Sequence, residues 1–332
     1  MNQDTVFRGA SFTLALLALF VILHFGLLPG GLAALAAFAL TGALANTRLM
    51  KPLGGKARAI SAALIIIAPL VALTLAGVEI SQFAADAAKN YVAMMDHLVS
   101  VAADWRTRLP GALSTHIPQE REALQDWVSH GLQSQAPMLA GMGRSWAHGL
   151  LFVVVGIIVG ALAAASSVVP STQPLAKALR TRAATLYQSF VKIVVAQFWI
   201  AAINTAFTAV FLFGALPLFD ISVPYSGWLV LLTFVAGLLP IVGNLLCNAV
   251  LTLAGLGVGP HVALACLVFL IAVHKLEYVI NAKVVGSRIS TAAWELIVAM
   301  FVFEAVFGVA GLVAAPLYYA YIKMEMKAFG WV

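Results

Sequence analysis

Charge is what this 332-residue sequence has least of: Asp, Glu, Lys and Arg make up 10% of it, against about 25% in an ordinary soluble chain. So few charges cannot cover a soluble globular surface. Cysteine is nearly absent too. The two present, Cys247 and Cys266, both sit within apolar runs, which excludes a disulfide framework and a thiolate metal site and leaves them as packing residues. No GxSxG, HExxH or pair of intramembrane aspartates occurs, and no His, Asp and Glu spacing fits a metal centre. Neither an enzyme nor a cofactor is expected.

What fills the sequence instead is apolar: 62% hydrophobic residues and a mean hydropathy of +1.00. The expected fold is an all-α polytopic membrane protein with about six to eight transmembrane helices, two of them broken or re-entrant hairpins, and an extracytoplasmic helical insert. The net charge of +6 would suggest nucleic acid in a soluble chain. Here it reflects Lys and Arg in cytoplasmic loops, and no nucleic-acid partner is expected.

Residues 1–80 read as N-terminal transmembrane helices. The apolar run 12–28 is too long for a signal-peptide core and lacks a small-x-small cleavage site, so it is expected to be retained. After Pro29, Gly30 and Gly31 comes a shorter run, 32–45. The basic cluster Arg48, Lys51, Lys56 and Arg58 then places the following loop in the cytoplasm. A third apolar segment covers 60–78.

Composition changes sharply at 81–147, which holds six acids and five bases. Its apolar residues recur every three to four positions, so amphipathic helices broken between Pro110 and Pro118 are expected, outside the cytoplasm because no basic excess retains them. Residues 148–220 return to transmembrane helices around a basic, acid-free loop at 170–190 with Lys177, Arg180 and Arg182. That loop belongs in the cytoplasm. Gln197, Asn204 and Thr205 are polar positions on the next helix, read first as interhelical hydrogen-bonding groups.

The last region, 221–332, organises the rest. Its stretch 228–256 is interrupted by Pro240, with Gly237, Gly243 and Asn244 around it, and proline both removes a backbone donor and clashes with the preceding turn. Two half-helices of about a dozen residues would each rise about 18–20 Å and turn back near mid-membrane. A second stretch, 292–322, repeats the pattern with Gly308 and Gly311 at its middle, Glu304 one turn earlier and Pro316 beyond. Between them 261–280 makes one full crossing. With both stretches as hairpins, Lys283, Arg288, Lys323 and Lys327 all become cytoplasmic, as do both termini. Two such hairpins opening to opposite sides could meet around a site at the bilayer midplane.

Glu304 lies deep enough in its stretch that the carboxylate must be neutral, paired or wetted. It is either a proton- or cation-coupling group or a structural carboxylate bonded to backbone donors at a hairpin tip. Lys275 could neutralise it or bind an anionic substrate. Glu277, two residues on, points elsewhere on its helix and is a coupling candidate or a snorkelling side chain. Asn244 can donate and accept. Pro240, Gly243, Gly308, Gly311 and Pro316 are candidate hairpin breaks whose freed backbone groups can bind small polar solutes, with close helix packing as the alternative use of the glycines. Glu295, one turn into its helix, reads as a favourable charge at a helix start.

These same residues carry a family resemblance. LLPIVGN, then HKLEYVINAKVVGSRI, then FEAVFGVAGLVAAPLYYAYIK, in that order, resemble the autoinducer-2 exporter family of bacterial membrane proteins, specifically over 235–325 and in general layout before that. Ala282 departs from it where many members carry proline, as does Phe303 where a glycine commonly precedes the glutamate. The resemblance implies an inner-membrane transporter or exporter of a small molecule or ion, a homo-oligomer (a pentamer by that likeness), with a transport unit that moves elevator-fashion against a scaffold. Export of a small polar solute and exchange of sodium or lithium for protons are both implied activities. A membrane scaffold or receptor acting through 81–147 is the alternative of another class. Deleting the insert would abolish its function, whereas Glu304→Gln would not.

Overall fold

Leu, Ala and other good helix formers dominate the long apolar runs, and in hydrocarbon a backbone has only itself to hydrogen-bond. Helices are the result. The structure is a computed structural model that describes residues 3–89, 121–166, 172–238, 242–289 and 292–331, and all its regular elements are helical among these. They are α1 (Gln3–His24), α2 (Leu28–Ala45), a 3-10 segment (Lys51–Lys56), α3 (Ala57–Lys89), α4 (Arg121–Ala165), α5 (Pro174–Val210), α6 (Ser226–Gly237), α7 (Val242–Val258), α8 (Pro260–Ile289) and α9 (Ala293–Ala328). Among the described residues, six helices are long and apolar enough to cross a membrane. The expected polytopic all-α class is what the chain forms.

By contact the chain divides into two units, Met1–Leu28 with Val168–Val332, and Pro29–Ser167. In the second, α3 and α4 pack as a long pair. At 33 and 45 residues they rise about 50 Å and 67 Å, well past a hydrocarbon core of about 30 Å. Much of the polar insert is therefore helix continued out of the apolar spans. The expected break at 110–118 lies outside the described residues. Small side chains bring α2 against α4: a Cβ added to Gly156 would stand 2.1 Å from the Gly30 carbonyl oxygen, and one on Gly160 would stand 2.0 Å from that of Ala34. This is the close small-xxx-small packing of membrane helices. Ala37, Ala62 and Ala161 fill the space beside it, flanked by Ile65 and Ile157.

The first unit is built on α5, which packs against α1, α6, α8 and α9. Gln173 is extended at its N-cap, as a residue before proline prefers, and Pro174 opens the helix where a missing N–H costs nothing. A π-turn at Phe211–Ala215 ends the apolar part, with Leu216 N–H bonding Phe211 C=O at 3.0 Å. Beyond it, Leu212, Leu216, Val223, Leu229, Leu251, Val262 and Cys266 form a core joining α5 to α6, α7 and α8. Both cysteines are free and buried, as packing residues are. The turn after α1 closes at Gly26, whose φ of 67° lets Leu27 N–H reach Ile22 C=O at 2.8 Å and Gly26 N–H reach Leu23 C=O at 3.2 Å.

Candidate functional site

Two helical hairpins lie in the first unit. In the first, α6 and α7 are joined across 238–241. A Cβ on Gly243 would stand 1.7 Å from the Ala236 carbonyl oxygen, so only glycine lets the arms meet backbone to backbone. Further from the tip, the Cys247 thiol lies 3.8 Å from the Leu232 carbonyl, which continues the antiparallel register. Pro240 and the side chain of Asn244 lie outside the described residues.

The end of α6 would leave carbonyls without intrahelical donors. Gln197, on α5, supplies one: its amide Nε2 donates to Gly237 C=O at 2.7 Å. A Cβ on Gly237 would approach the Ala201 methyl to 3.2 Å, so the same stretch of α5 also sets the packing distance. Interhelical bonding, the first reading of Gln197, is thus its use. Thr205 instead bonds within its own helix, to Ala201 C=O at 2.7 Å, and Asn204 is buried.

The second hairpin is α9 folded on itself. Gly308 has φ 62° and ψ −148°, a conformation essentially restricted to glycine. There the chain reverses. A Cβ on Gly311 would stand 2.0 Å from the carbonyl oxygen of Phe303, eight residues earlier, whereas eight residues of straight helix would separate the two by about 12 Å. The arms 293–307 and 309–328 run antiparallel from this point. Phe303 meets Tyr318 edge-on at 6.0 Å, and near the open end Glu295 accepts from Lys323 at 2.5 Å and from the Tyr319 hydroxyl. Pro316 does not turn the chain. It sits inside the continuous returning arm, held by packing on both sides at Ala315 and Leu317.

Glu304 is on the outgoing arm, four residues before the Gly308 turn, and it is exposed. Its neighbours Phe301, Val302 and Val306 are exposed as well, at 68%, 55% and 64%, so the carboxylate stands on an apolar face. Among the described residues neither Glu304 nor Lys275 forms an ion pair. Lys275 is exposed on α8, and the side chain of Glu277 lies outside the described residues. Glu295 does more than favour a helix start, because it ties the two arms together.

The sequence reading missed one buried pair altogether. Arg182, in the stretch expected to be a cytoplasmic loop, is on α5 and pairs with Glu325 near the end of α9. Its Nε also donates to Ser11 Oγ of α1 at 3.3 Å, and its guanidinium lies 4.9 Å from the Phe329 ring centroid. Three helices are joined at one arginine. A signal existed in Glu325, an acid among the apolar and basic residues of the last helix, but a sequence gives no partner for it.

No group of three or more His, Cys, Asp or Glu side chains is placed to hold a metal among the described residues. The geometry is that of a multi-pass helical membrane protein with two hairpins and an exposed carboxylate, Glu304, on an apolar arm. The chain belongs to the AI-2E family of transporters, whose family model matches residues 11–330. No curated protein and no solved structure matches it. It is a membrane transporter.

Proposed function

We propose that the chain exports a small polar solute by alternating access, a transport unit bearing the hairpins moving elevator-fashion against a scaffold, and that Glu304 couples the movement to protons or cations. The observation that carries this reading is the position of Glu304: an exposed carboxylate on an apolar arm, within a turn of the Gly308 break. Such a group is stable at membrane depth only when it faces water, a cation or a proton. Backbone groups at the two turns would take the solute, with Asn244, Lys275 and Glu277 as the candidate side chains. Basic loops favour the bacterial cytoplasmic membrane with both termini inside, and family likeness favours a homo-oligomer.

The same carboxylate supports a second reading, exchange of sodium or lithium for protons. Sealed proteoliposomes holding a pH-sensitive dye, given sodium, lithium or potassium gradients, separate the two. Cation-driven proton flux in the wild type that Glu304→Gln abolishes is the antiporter outcome. Absence of flux in vesicles shown to be tight moves the assignment to an organic solute. Flux with the same pH dependence in wild type and Glu304→Gln removes the coupling role.

A further inference from the structure

At one end of the first unit, where α1 begins, α5 begins and α9 ends, lies a cavity of about 440 Å³. Among the described residues its ionisable lining is basic: Arg8 from α1 and Lys177 and Arg182 from α5, with Thr181 also lining it. Two aromatic side chains, Phe7 and Phe329, line it as well. We propose that this cavity binds the phosphate-bearing head of an anionic amphiphile.

Four observations support this. Arg182 is held in place by Ser11, Glu325 and the Phe329 ring, so one cation is fixed without cost at the moment of binding. Glu325 neutralises that one arginine, which leaves the excess positive charge on Arg8 and Lys177, both exposed to an incoming ligand. The positive end of the α5 dipole is adjacent, since the helix starts at Pro174. Phe329 is itself packed edge-on against Phe12 at 5.7 Å and stacked on Trp331 at 5.0 Å, which holds its ring in place.

Depth and size point to a headgroup. The candidate span Val6–His24, of a length to cross once, begins at this cavity beside Phe7 and Arg8, which sets it at the level where lipid phosphates lie. Ligand cavities range over about 300–1,000 Å³, so this one has room for a phosphate with its glycerol and first methylenes, and the two aromatic side chains suit the latter. A soluble phosphate monoester offers the same chemistry.

The test uses the full-length chain in detergent, with the unfolding midpoint followed during titration with phosphatidylglycerol, phosphatidylcholine or glycerol 3-phosphate. Phosphatidylglycerol should stabilise the wild type saturably, and R8Q/K177Q should need about 25-fold more of it, since each basic residue near a phosphate surface contributes about a factor of five. R8K/K177R, which keeps the charge, should respond as the wild type does. R48Q/R58Q, which removes two basic residues from the other unit, should also. Stabilisation by glycerol 3-phosphate with the same dependence on Arg8 and Lys177 assigns the cavity to a soluble ester. An equal response to phosphatidylcholine, no response in the wild type, or an unchanged response in R8Q/K177Q overturns the proposal. If R8Q/K177Q does not fold, K177Q alone, at an exposed position, carries the comparison.

Discussion

Arg182 and Glu325 are 143 residues apart in the chain and form an ion pair with side-chain exposures of 8% and 0%. Removing one partner leaves a buried charge uncompensated, while removing both leaves none. Arg182→Met or Glu325→Leu alone should therefore cost about 3–5 kcal/mol, and the double variant markedly less. Thermal unfolding in detergent reads the cycle. Additive losses would mean that the pair is not coupled.

Gly308 is a different kind of dependency, because its φ of 62° with ψ −148° is closed to residues bearing a Cβ whatever space surrounds them. Gly308→Ala should cost about 1–3 kcal/mol and lower transport more than it lowers expression. Gly42→Ala, in a helix with open space at its Cβ, is the control and should be neutral or mildly stabilising. Equal behaviour of the two variants would show that the hairpin turn tolerates another backbone shape.

Glu295 holds Lys323 and Tyr319 across the open end of the same hairpin, with Glu295 and Lys323 partly exposed at 22% and 12%. Breaking the pair with Lys323→Met should lower the unfolding midpoint only slightly, as is usual for pairs still in reach of water. The exchanged pair, Glu295→Lys with Lys323→Glu, should recover part of the loss. Failure of either single change to alter the midpoint would make the clasp dispensable.

Gln197 serves the first hairpin from outside it, through its 2.7 Å bond to Gly237 C=O. Gln197→Leu should lose about 1 kcal/mol, as interhelical bonds in membranes do, and should change flux because the carbonyl it releases is at the turn. Asn in its place is one methylene short and should not restore the bond. Wild-type flux from Gln197→Leu would detach this residue from the hairpin's function.

The places where the backbone breaks were legible because they depend on local chemistry. Apolar runs of sufficient length declare helices, and Gly308 and Gly311 in mid-run mark a turn that no tertiary contact is needed to explain. Pro316 shows the limit of that logic. A proline gives up one hydrogen bond wherever it sits, but whether the helix breaks there depends on the packing around it, and Ala315 and Leu317 hold this arm continuous.

By itself, then, the sequence determined an all-helical membrane chain, its long apolar spans and the backbone break at Gly308, since hydropathy, helix propensity and glycine's freedom act over a few neighbouring residues. Tertiary structure alone decided which distant groups meet. It joined Met1–Leu28 to Val168–Val332 in one unit, turned a loop arginine into the buried partner of Glu325, gave Glu295 a role across the hairpin, and left Glu304 without an ionic partner among the described residues. The reason is that ion pairs and interhelical hydrogen bonds are contacts between residues far apart in the chain, and only packing brings those residues within reach of each other.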